Sequence, residues 1–297
     1  YLASGNTFSD LHYIFRLGIS TISKIVREVC SKLWNILKNN YLSKPNEEKW
    51  KTIANCFGKT AQFPHCLGAV DGKHIRVQNF PNSRSMNLNY KNYFSIVLMA
   101  IVDSDYKCIY VDIGAYGKNC DSAVFKETVF WKLLETNKLD IPHAETVITN
   151  YNLPYVLVGD EAFALSTNLL RPYGGKNLCI KKRVFNYRLT RARRYVECAF
   201  SILANKWRVL HRPLNVSKEF AKDIVKACVV LHNVVRERDG FRSEGEQIIH
   251  RGSHGLNDLE RIPIHGRGGT NANYIRDSFA NYFISPAGEL PWQLNKI

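Results

Sequence analysis

Residues 66–77 have the sequence CLGAVDGKHIRV, an apolar run that meets an acid and a glycine at Asp71-Gly72. A short apolar run of this length, bounded by glycine, is typical of a buried strand. Two further apolar segments, Tyr93–Val102 and Lys107–Ile113, are separated only by an Asp-Ser-Asp turn, which predicts a hairpin. The middle of the chain is therefore expected to begin with three antiparallel strands.

The segments that follow the hairpin alternate between helical and extended patterns. Ser122–Leu134 and Phe220–Arg236 have the apolar spacing of helices, and Arg188–Val209 is expected to be a long basic helix. Tyr155–Val158 is predicted to be a short buried strand, and Leu178–Ile180 a weaker one. This order predicts an α/β fold in which a mixed sheet is flanked by helices.

The two ends of the chain differ from this middle part in their predicted secondary structure. Residues 1–60 are predicted to be helical, with two helices joined through RLGIST, and Ser20 is placed to cap the second. This pair is helix-turn-helix-like, and an ordinary helical hairpin packed on the main domain is the alternative. Residues 61–236 are assigned to the α/β domain. Residues 237–297 are assigned to a C-terminal extension, in which a polar loop precedes a helix at Asn271–Ile284.

The composition restricts the classes of partner. The formal net charge is +15, which indicates nucleic acid as the partner. An anionic membrane surface is less favoured, since the charge lies in no basic amphipathic helix with a wide apolar face, and no apolar run approaches the ~18 residues of a membrane span. The eight cysteines form no C-x-x-C pair, so they are expected to be buried thiols rather than a zinc site.

Three acids stand out against this charge. The segment Lys176–Arg212 contains eleven basic residues and one acid, Glu197, which taken alone is an ordinary salt-bridge partner. Asp71 and Asp160 each lie where an apolar strand ends, and each taken alone is a turn-forming Asp beside a glycine. On neighbouring parallel strands the two aspartates would lie side by side, and a helix across the sheet edge would add Glu197. Three such carboxylates suit two Mg²⁺ ions, with Mn²⁺ as a substitute.

Four blocks of sequence resemble the catalytic domain of the PIF/Harbinger transposases and of the Harbinger transposase-derived nucleases. They are CLGAVDGKHI at 66–75, VGDEAF at 158–163, RYVECAF at 194–200 and ACVVLHN at 227–233. The blocks occur in the family order, and the resemblance covers about residues 8–240. It implies an RNase H-like fold and a DDE triad that is both catalytic and metal-binding, with the roles falling on Asp71, Asp160 and Glu197.

The resemblance also implies a function. The family's chemistry is Mg²⁺-dependent cleavage of phosphodiester bonds at transposon ends, followed by joining of the 3′-hydroxyl to target DNA. The implied partners are double-stranded DNA, a Myb/SANT-like DNA-binding protein and further copies of the chain. The implied location is the nucleus, with the cytoplasm as the location before import aided by the partner. Phosphate contacts are expected from the basic segment, at Lys181, Lys182, Arg183, Arg191, Arg193, Arg194, Lys206 and Arg208.

Two alternatives to this enzyme remain open. One is a domesticated DNA-binding protein that does not cut DNA and acts through its partner. The other is a structure-selective or RNA-directed nuclease of the same fold.

Several other polar residues are interpreted as having mainly structural roles. Asp121-Ser122, at the start of the first crossover helix, is interpreted mainly as a helix cap, with an active-site role as the minor alternative. His74 is interpreted mainly as a hydrogen-bonded structural histidine, with a contact to substrate phosphate as the alternative, and His232 as a core residue. His250 and His254 have helical ligand spacing but lie in a polar loop without a third ligand, so no metal site is expected there.

Overall fold

The computed structural model describes residues 1–146, 152–239 and 269–297. The helices are α1 Phe8–Phe15, α2 Ile19–Tyr41, α3 Glu47–Thr60, α4 Asp121–Glu127, α5 Val129–Glu135, α6 Ile180–Lys206, α7 Lys218–Arg238 and α8 Thr270–Phe283. The strands are β1 Cys66–Arg76, β2 Ser95–Val102, β3 Cys108–Tyr116, β4 Glu145–Thr146, β5 Asn152–Leu153, β6 Val156–Val158 and β7 Leu169–Leu170. Two 3₁₀ turns, Arg208–His211 and Gln293–Lys296, complete the described elements.

The main sheet has five strands in the order β3-β2-β1-β6-β7. The pairs β1–β2 and β2–β3 are antiparallel, whereas β1–β6 and β6–β7 are parallel. Every residue of β2 and β6 is buried, because strands covered on both faces have no solvent side. This mixed sheet flanked by helices is the RNase H-like arrangement that the sequence predicts.

One predicted strand is wrong, and three two-residue strands, β4, β5 and β7, were missed. Leu178–Ile180 is not a strand, because α6 begins at Ile180 with Cys179 in the N-cap position. The fifth strand is instead β7, which pairs in parallel with β6 through Leu157–Leu169 and Val158–Leu170. A strand of two residues has no periodicity, so only pairing with its neighbour defines it.

The helix boundaries also differ from the prediction. The helix expected over Ser122–Leu134 is divided in two at Thr128, which has an extended backbone. Thr128 is the N-cap of α5, because its Oγ1 accepts a hydrogen bond from the Trp131 amide at 3.1 Å. The long basic helix begins at Ile180 rather than Arg188. Ser20 is not the cap of α2, since Gly18 occupies that position.

The N-terminal helices pack onto the rest of the molecule through one side. Ile22 and Cys30 of α2 are buried, and α2 packs against α7. Ile25, Val29 and Ile36 of α2 have exposed fractions of 46%, 49% and 67%. By helical spacing these three residues lie beside buried Ile22, so the predicted apolar stripe of this helix is only partly covered.

The C-terminal helix shares the core of the central sheet. The predicted helix Asn271–Ile284 is confirmed as α8, which packs on α6. The ring of Phe63 lies 5.5 Å from Phe279 and 5.2 Å from Phe283, centroid to centroid. The predicted polar loop before it, including His250 and His254, lies largely outside the described residues.

In the described part of the chain, every helix is too short or too polar to cross a lipid bilayer.

Candidate active site

Asp71 and Asp160 lie at adjacent positions on neighbouring parallel strands. Ala69 of β1 pairs with Val158 of β6, so Asp71 and Asp160, each two residues further on, lie next to each other. The Gly159 amide donates to the Leu170 carbonyl at 2.9 Å, which continues the ladder between β6 and β7. Both aspartates are 6% exposed. The two aspartates are neighbours, as predicted, but only Asp160 follows the end of a strand: Asp71 is inside β1, where it pairs with Ala100 of β2.

Each of these carboxylates is oriented by a nearby amide. Asp71 Oδ1 accepts a hydrogen bond from the Gly72 amide at 2.9 Å. Asp160 Oδ1 accepts one from the Ala162 amide, also at 2.9 Å. Buried carboxylates require partners of this kind or a metal ion, so the backbone here holds two acids at the sheet edge.

A further acid, Asp121, lies against the strand residue that follows Asp71. A methyl group built on Gly72 would be only 2.6 Å from Asp121 Cγ and closer still to Oδ1. The N-cap of α4 is Cys120, without a side-chain cap bond, and Asp121 is the first residue of the helix. The expectation that Asp121 serves mainly as a cap is therefore corrected: its carboxylate packs on β1.

Ser122, next to Asp121, contacts the loop that carries Asp160. Its Oγ accepts a hydrogen bond from the Ala164 amide at 3.2 Å. The first turn of α4 thus touches β1 at Gly72 and the loop that follows β6. A signal for this was present in the sequence, since an acid beside a serine follows the hairpin, but only the packing of α4 reveals the contact.

Glu197 is held apart from this group by a neighbouring cation. Arg193 Nη1 lies 2.7 Å from Glu197 Oε1, one turn earlier on α6, and the Glu197 side chain is 40% exposed. Among residues 1–146, 152–239 and 269–297, no group of three or more His, Cys, Asp or Glu side chains is placed to hold a metal ion. The structure therefore brings together two of the three predicted acids, Asp71 and Asp160. Three neighbouring carboxylates repel one another unless a cation neutralises them, so Glu197 is more stable beside the positive charge of Arg193.

The donors at the sheet edge fit a divalent cation in their chemistry. Asp71 and Asp160 supply carboxylate oxygens, the ligand type that Mg²⁺ takes, and Mg²⁺ sites in proteins commonly use only one or two carboxylates. Glu197 would have to leave Arg193 to join them.

The eight basic residues predicted to contact DNA fall into two groups. Arg183, Arg194, Lys206 and Arg208 are exposed. The other four have partners within the chain: Lys181 Nζ donates to Asn281 Oδ1 at 2.9 Å, Lys182 lies over the Tyr173 ring, Arg191 lies over the Trp292 ring, and Arg193 pairs with Glu197. The exposed group is the stronger candidate for phosphate contacts.

One basic residue of the same helix has a structural role. Arg188 is 2% exposed and donates to the carbonyls of Gln62 and Gly288 and to Gln293 Oε1. Burial lowers the pKa of its guanidinium to about 10. Its position four residues from both Val184 and Ala192, which are buried, is the sequence signal for this role.

His74 and His232, which lie within two of the four sequence blocks, have the hydrogen bonds expected of structural residues. His74 Nδ1 lies 2.9 Å from Ser95 Oγ, and its ring packs edge-on against Tyr90 and Tyr93. His232 is buried, its Nε2 donates to the Tyr106 carbonyl at 2.7 Å, and burial lowers its pKa to about 4. His232 is a core residue, as predicted.

Comparison with known proteins agrees with this geometry. A family model described as DDE superfamily endonuclease matches residues 70–233, which is more than half of the chain and includes all three predicted acids. "Protein ALP1-like" of Arabidopsis thaliana is 30% identical over 244 residues, which are 79% of this chain and 58% of that protein. The chain thus spans little more than half the length of this curated relative. No solved structure matches the chain at a significant level. By the family match, this chain is a member of the DDE superfamily endonucleases.

Proposed function

We propose that the protein is a metal-dependent DNA endonuclease of the PIF/Harbinger transposase type. It would cleave phosphodiester bonds at transposon ends and join the freed 3′-hydroxyl to target DNA. The observation that carries the proposal is that Asp71 of β1 and Asp160, just after β6, lie next to each other on adjacent parallel strands inside a family-matched domain. Buried acids at that position contribute little to packing, so a role with a cation and a phosphate accounts for them best.

The cofactor in this proposal is Mg²⁺, two ions per site, with Mn²⁺ as a substitute. Asp71 and Asp160 would hold the ions, and Glu197 would complete the set once it separates from Arg193. When bound, such ions activate water and stabilise the leaving oxygen. The chain's own contribution is to fix the two aspartates through the Gly72 and Ala162 amides.

The DNA would be held by the basic side of α6 and by the turn that follows it. Arg183, Arg194, Lys206 and Arg208 are exposed there, in a chain of net charge +15. Contacts to phosphates position a duplex and supply salt-dependent affinity, with little sequence information. Lys181, Lys182, Arg191 and Arg193 would join them where DNA displaces their present partners.

The remaining features of the proposal follow from the resemblance to PIF/Harbinger proteins. They are a Myb/SANT-like partner that aids DNA binding and nuclear entry, a homodimeric or higher assembly, and a nuclear location.

A second candidate function is a domesticated DNA-binding protein that does not cut. The Arg193–Glu197 ion pair favours it, since the third acid is engaged away from the other two. Both candidates predict salt-dependent binding to duplex DNA, and only the first predicts cleavage.

Nicking of supercoiled plasmid in Mg²⁺ or Mn²⁺ separates the two candidates. The first predicts that the wild-type chain nicks the plasmid and that Asp160→Asn binds DNA without nicking it. Asp140→Asn is the matched control, because Asp140 is an exposed acid paired with Lys44. Nicking retained in Asp160→Asn would overturn the assigned triad, and DNA binding by a wild-type chain that nicks in neither metal would support the second candidate.

A further inference from the structure

We propose that the exposed apolar row of α2 is the surface through which two copies of this chain pair, with their two α2 helices antiparallel. The inference rests on the homodimeric assembly of the proposed function and gives that assembly a surface. It does not depend on cleavage of DNA, because the residues that carry it lie outside the candidate active site.

The first observation is an uneven distribution of exposed apolar side chains. Among the described residues, more than half of the large apolar side chains that face solvent lie within residues 13–36, at the end of α1 and along α2. At the end of α1, Tyr13, Ile14 and Phe15 are 79%, 58% and 64% exposed. Single exposed apolar residues are normal on a protein surface, whereas such a concentration is typical of an interaction site.

The exposed apolar residues of this region are extensive enough for a protein interface. At about 200 Å² for a fully exposed large side chain, those within residues 13–36 present roughly 900 Å² in all. The largest apolar patch of a typical monomer is about 300–600 Å², whereas a standard interface covers about 800 Å² on each partner. The end of α1 and the exposed residues of α2 together therefore suffice for one such interface.

The exposed apolar residues of α2 form a row along the helix. Ile25, Val29 and Ile36 are separated by four and seven residues, so they lie on one side, next to the side that packs on α7. A seven-residue repeat of this kind is typical of paired helices. Lys32 occupies the position between Val29 and Ile36, and Glu28 lies one turn before it, both exposed.

The two charges beside the row favour a second copy of the chain in antiparallel orientation. Within the described residues, neither Glu28 nor Lys32 forms an ion pair. If two α2 helices ran parallel about a two-fold axis, Lys32 would face Lys32. In the antiparallel pair, Ile25 of each copy faces Ile36 of the other, and Glu28 of each copy lies beside Lys32 of the other. The surface is therefore complementary to itself in its apolar residues and in its charges.

The same row does not suit a DNA duplex. Phosphates are bound by cations and by other hydrogen-bond donors, and base edges are recognised mainly by polar side chains. Three aliphatic side chains in a row offer neither. On this side, the helix-turn-helix-like pair α1–α2 therefore serves assembly better than it serves contact with DNA.

The test measures the dissociation constant of the full-chain dimer by sedimentation equilibrium. We expect the wild-type chain to dimerise reversibly and Ile36→Lys to raise the dissociation constant at least about tenfold, because each copy then buries a charge in place of an apolar contact. Val129→Lys is the matched control, since Val129 is 62% exposed on α5, and we expect it to dimerise like wild type. Wild-type dimerisation of Ile36→Lys would overturn the proposed surface.

An exchange of charges tests the orientation of the two helices. Glu28→Lys and Lys32→Glu each place like charges beside one another in a homodimer, so we expect each variant alone to dimerise about tenfold more weakly. Mixed in equal amounts, the two variants should form a heterodimer of near wild-type affinity, because each contact again joins opposite charges. Failure of the mixture to recover would overturn the antiparallel pairing.

Plasmid nicking by the same samples separates this inference from the nuclease. A wild-type chain that is monomeric throughout the micromolar range but nicks plasmid would overturn the dimer surface and leave the nuclease intact. A wild-type dimer that Ile36→Lys dissociates would support the surface whether or not the chain nicks DNA.

Discussion

Arg193 and Glu197 form an ion pair of 2.7 Å across one turn of α6. The pair engages Glu197, the glutamate of the predicted triad, and within the described residues Glu197 belongs to no group of three or more side chains that could hold a metal ion. Both partners are partly exposed, so the pair is weak enough to be exchanged for a cation or for a DNA phosphate.

Removal of this arginine should therefore make the third acid more available. In Arg193→Gln, we expect Mn²⁺ affinity to rise about twofold to fivefold, because a partly exposed pair of this kind contributes about 0.5–1 kcal/mol. Calorimetric titration of the full chain measures the change. Arg194→Gln, which alters an exposed arginine beside it, serves as the control, and an equal rise in both variants would mean that only the general charge matters.

Arg188 should be necessary for stability rather than for DNA binding. In Arg188→Met, three buried acceptors on Gln62, Gly288 and Gln293 lose their donor, and we expect unfolding free energy to fall by roughly 3 kcal/mol. Urea denaturation measures this loss. Arg183→Met changes an exposed arginine of the same helix, and we expect it to stay within about 0.5 kcal/mol of wild type. A similar small effect for Arg188→Met would contradict its role as an anchor.

His232 should make the fold sensitive to acid. Burial lowers its pKa to about 4, below the ordinary value of 6.5, so the unfolded chain binds a proton that the folded chain excludes. The stability that neutral His232 contributes is fully present above pH 6.5 and is lost as pH falls towards 4, by roughly 3 kcal/mol.

The measurement is the difference in unfolding free energy between wild type and His232→Gln across this range. Glutamine keeps a donor for the Tyr106 carbonyl but does not titrate. Burial also raises the pKa of Asp103 to about 6, which has the opposite effect on stability as pH falls, but both proteins share it and the difference removes it. A difference that does not change between pH 7 and pH 4 would show that folding does not lower the pKa of His232.

The exposed arginines of α6 should determine the salt dependence of DNA binding. If Arg183 and Arg194 each neutralise one phosphate, replacement of either by alanine should reduce the slope of log K against log salt by about 0.9. Fluorescence anisotropy with a duplex at several salt concentrations gives the slopes. Lys44→Ala is the control, because Lys44 already pairs with Asp140 at 2.7 Å. Equal slopes in all of these variants would place the DNA on another surface.

The sequence by itself determined the architecture and the positions of two acids. The apolar runs of β1, β2 and β6 are long or dense enough to be recognised as strands. An acid beside a glycine marks the end of β6, whereas the same signal at Asp71-Gly72 falls inside β1, which continues to Arg76. The position of α8 also follows from its sequence pattern, because its apolar spacing is regular.

Only the tertiary structure decided the rest. The two-residue strand β7, the start of α6 at Ile180 and the break at Thr128 depend on pairing and capping, which leave little trace in local sequence. The Arg193–Glu197 pair is a local contact across one helical turn, whereas the contact of Asp121 with Gly72 depends on the distance between segments remote in sequence. Local patterns specify which residues form a strand or a helix, whereas side-chain electrostatics and packing across elements decide which acids meet.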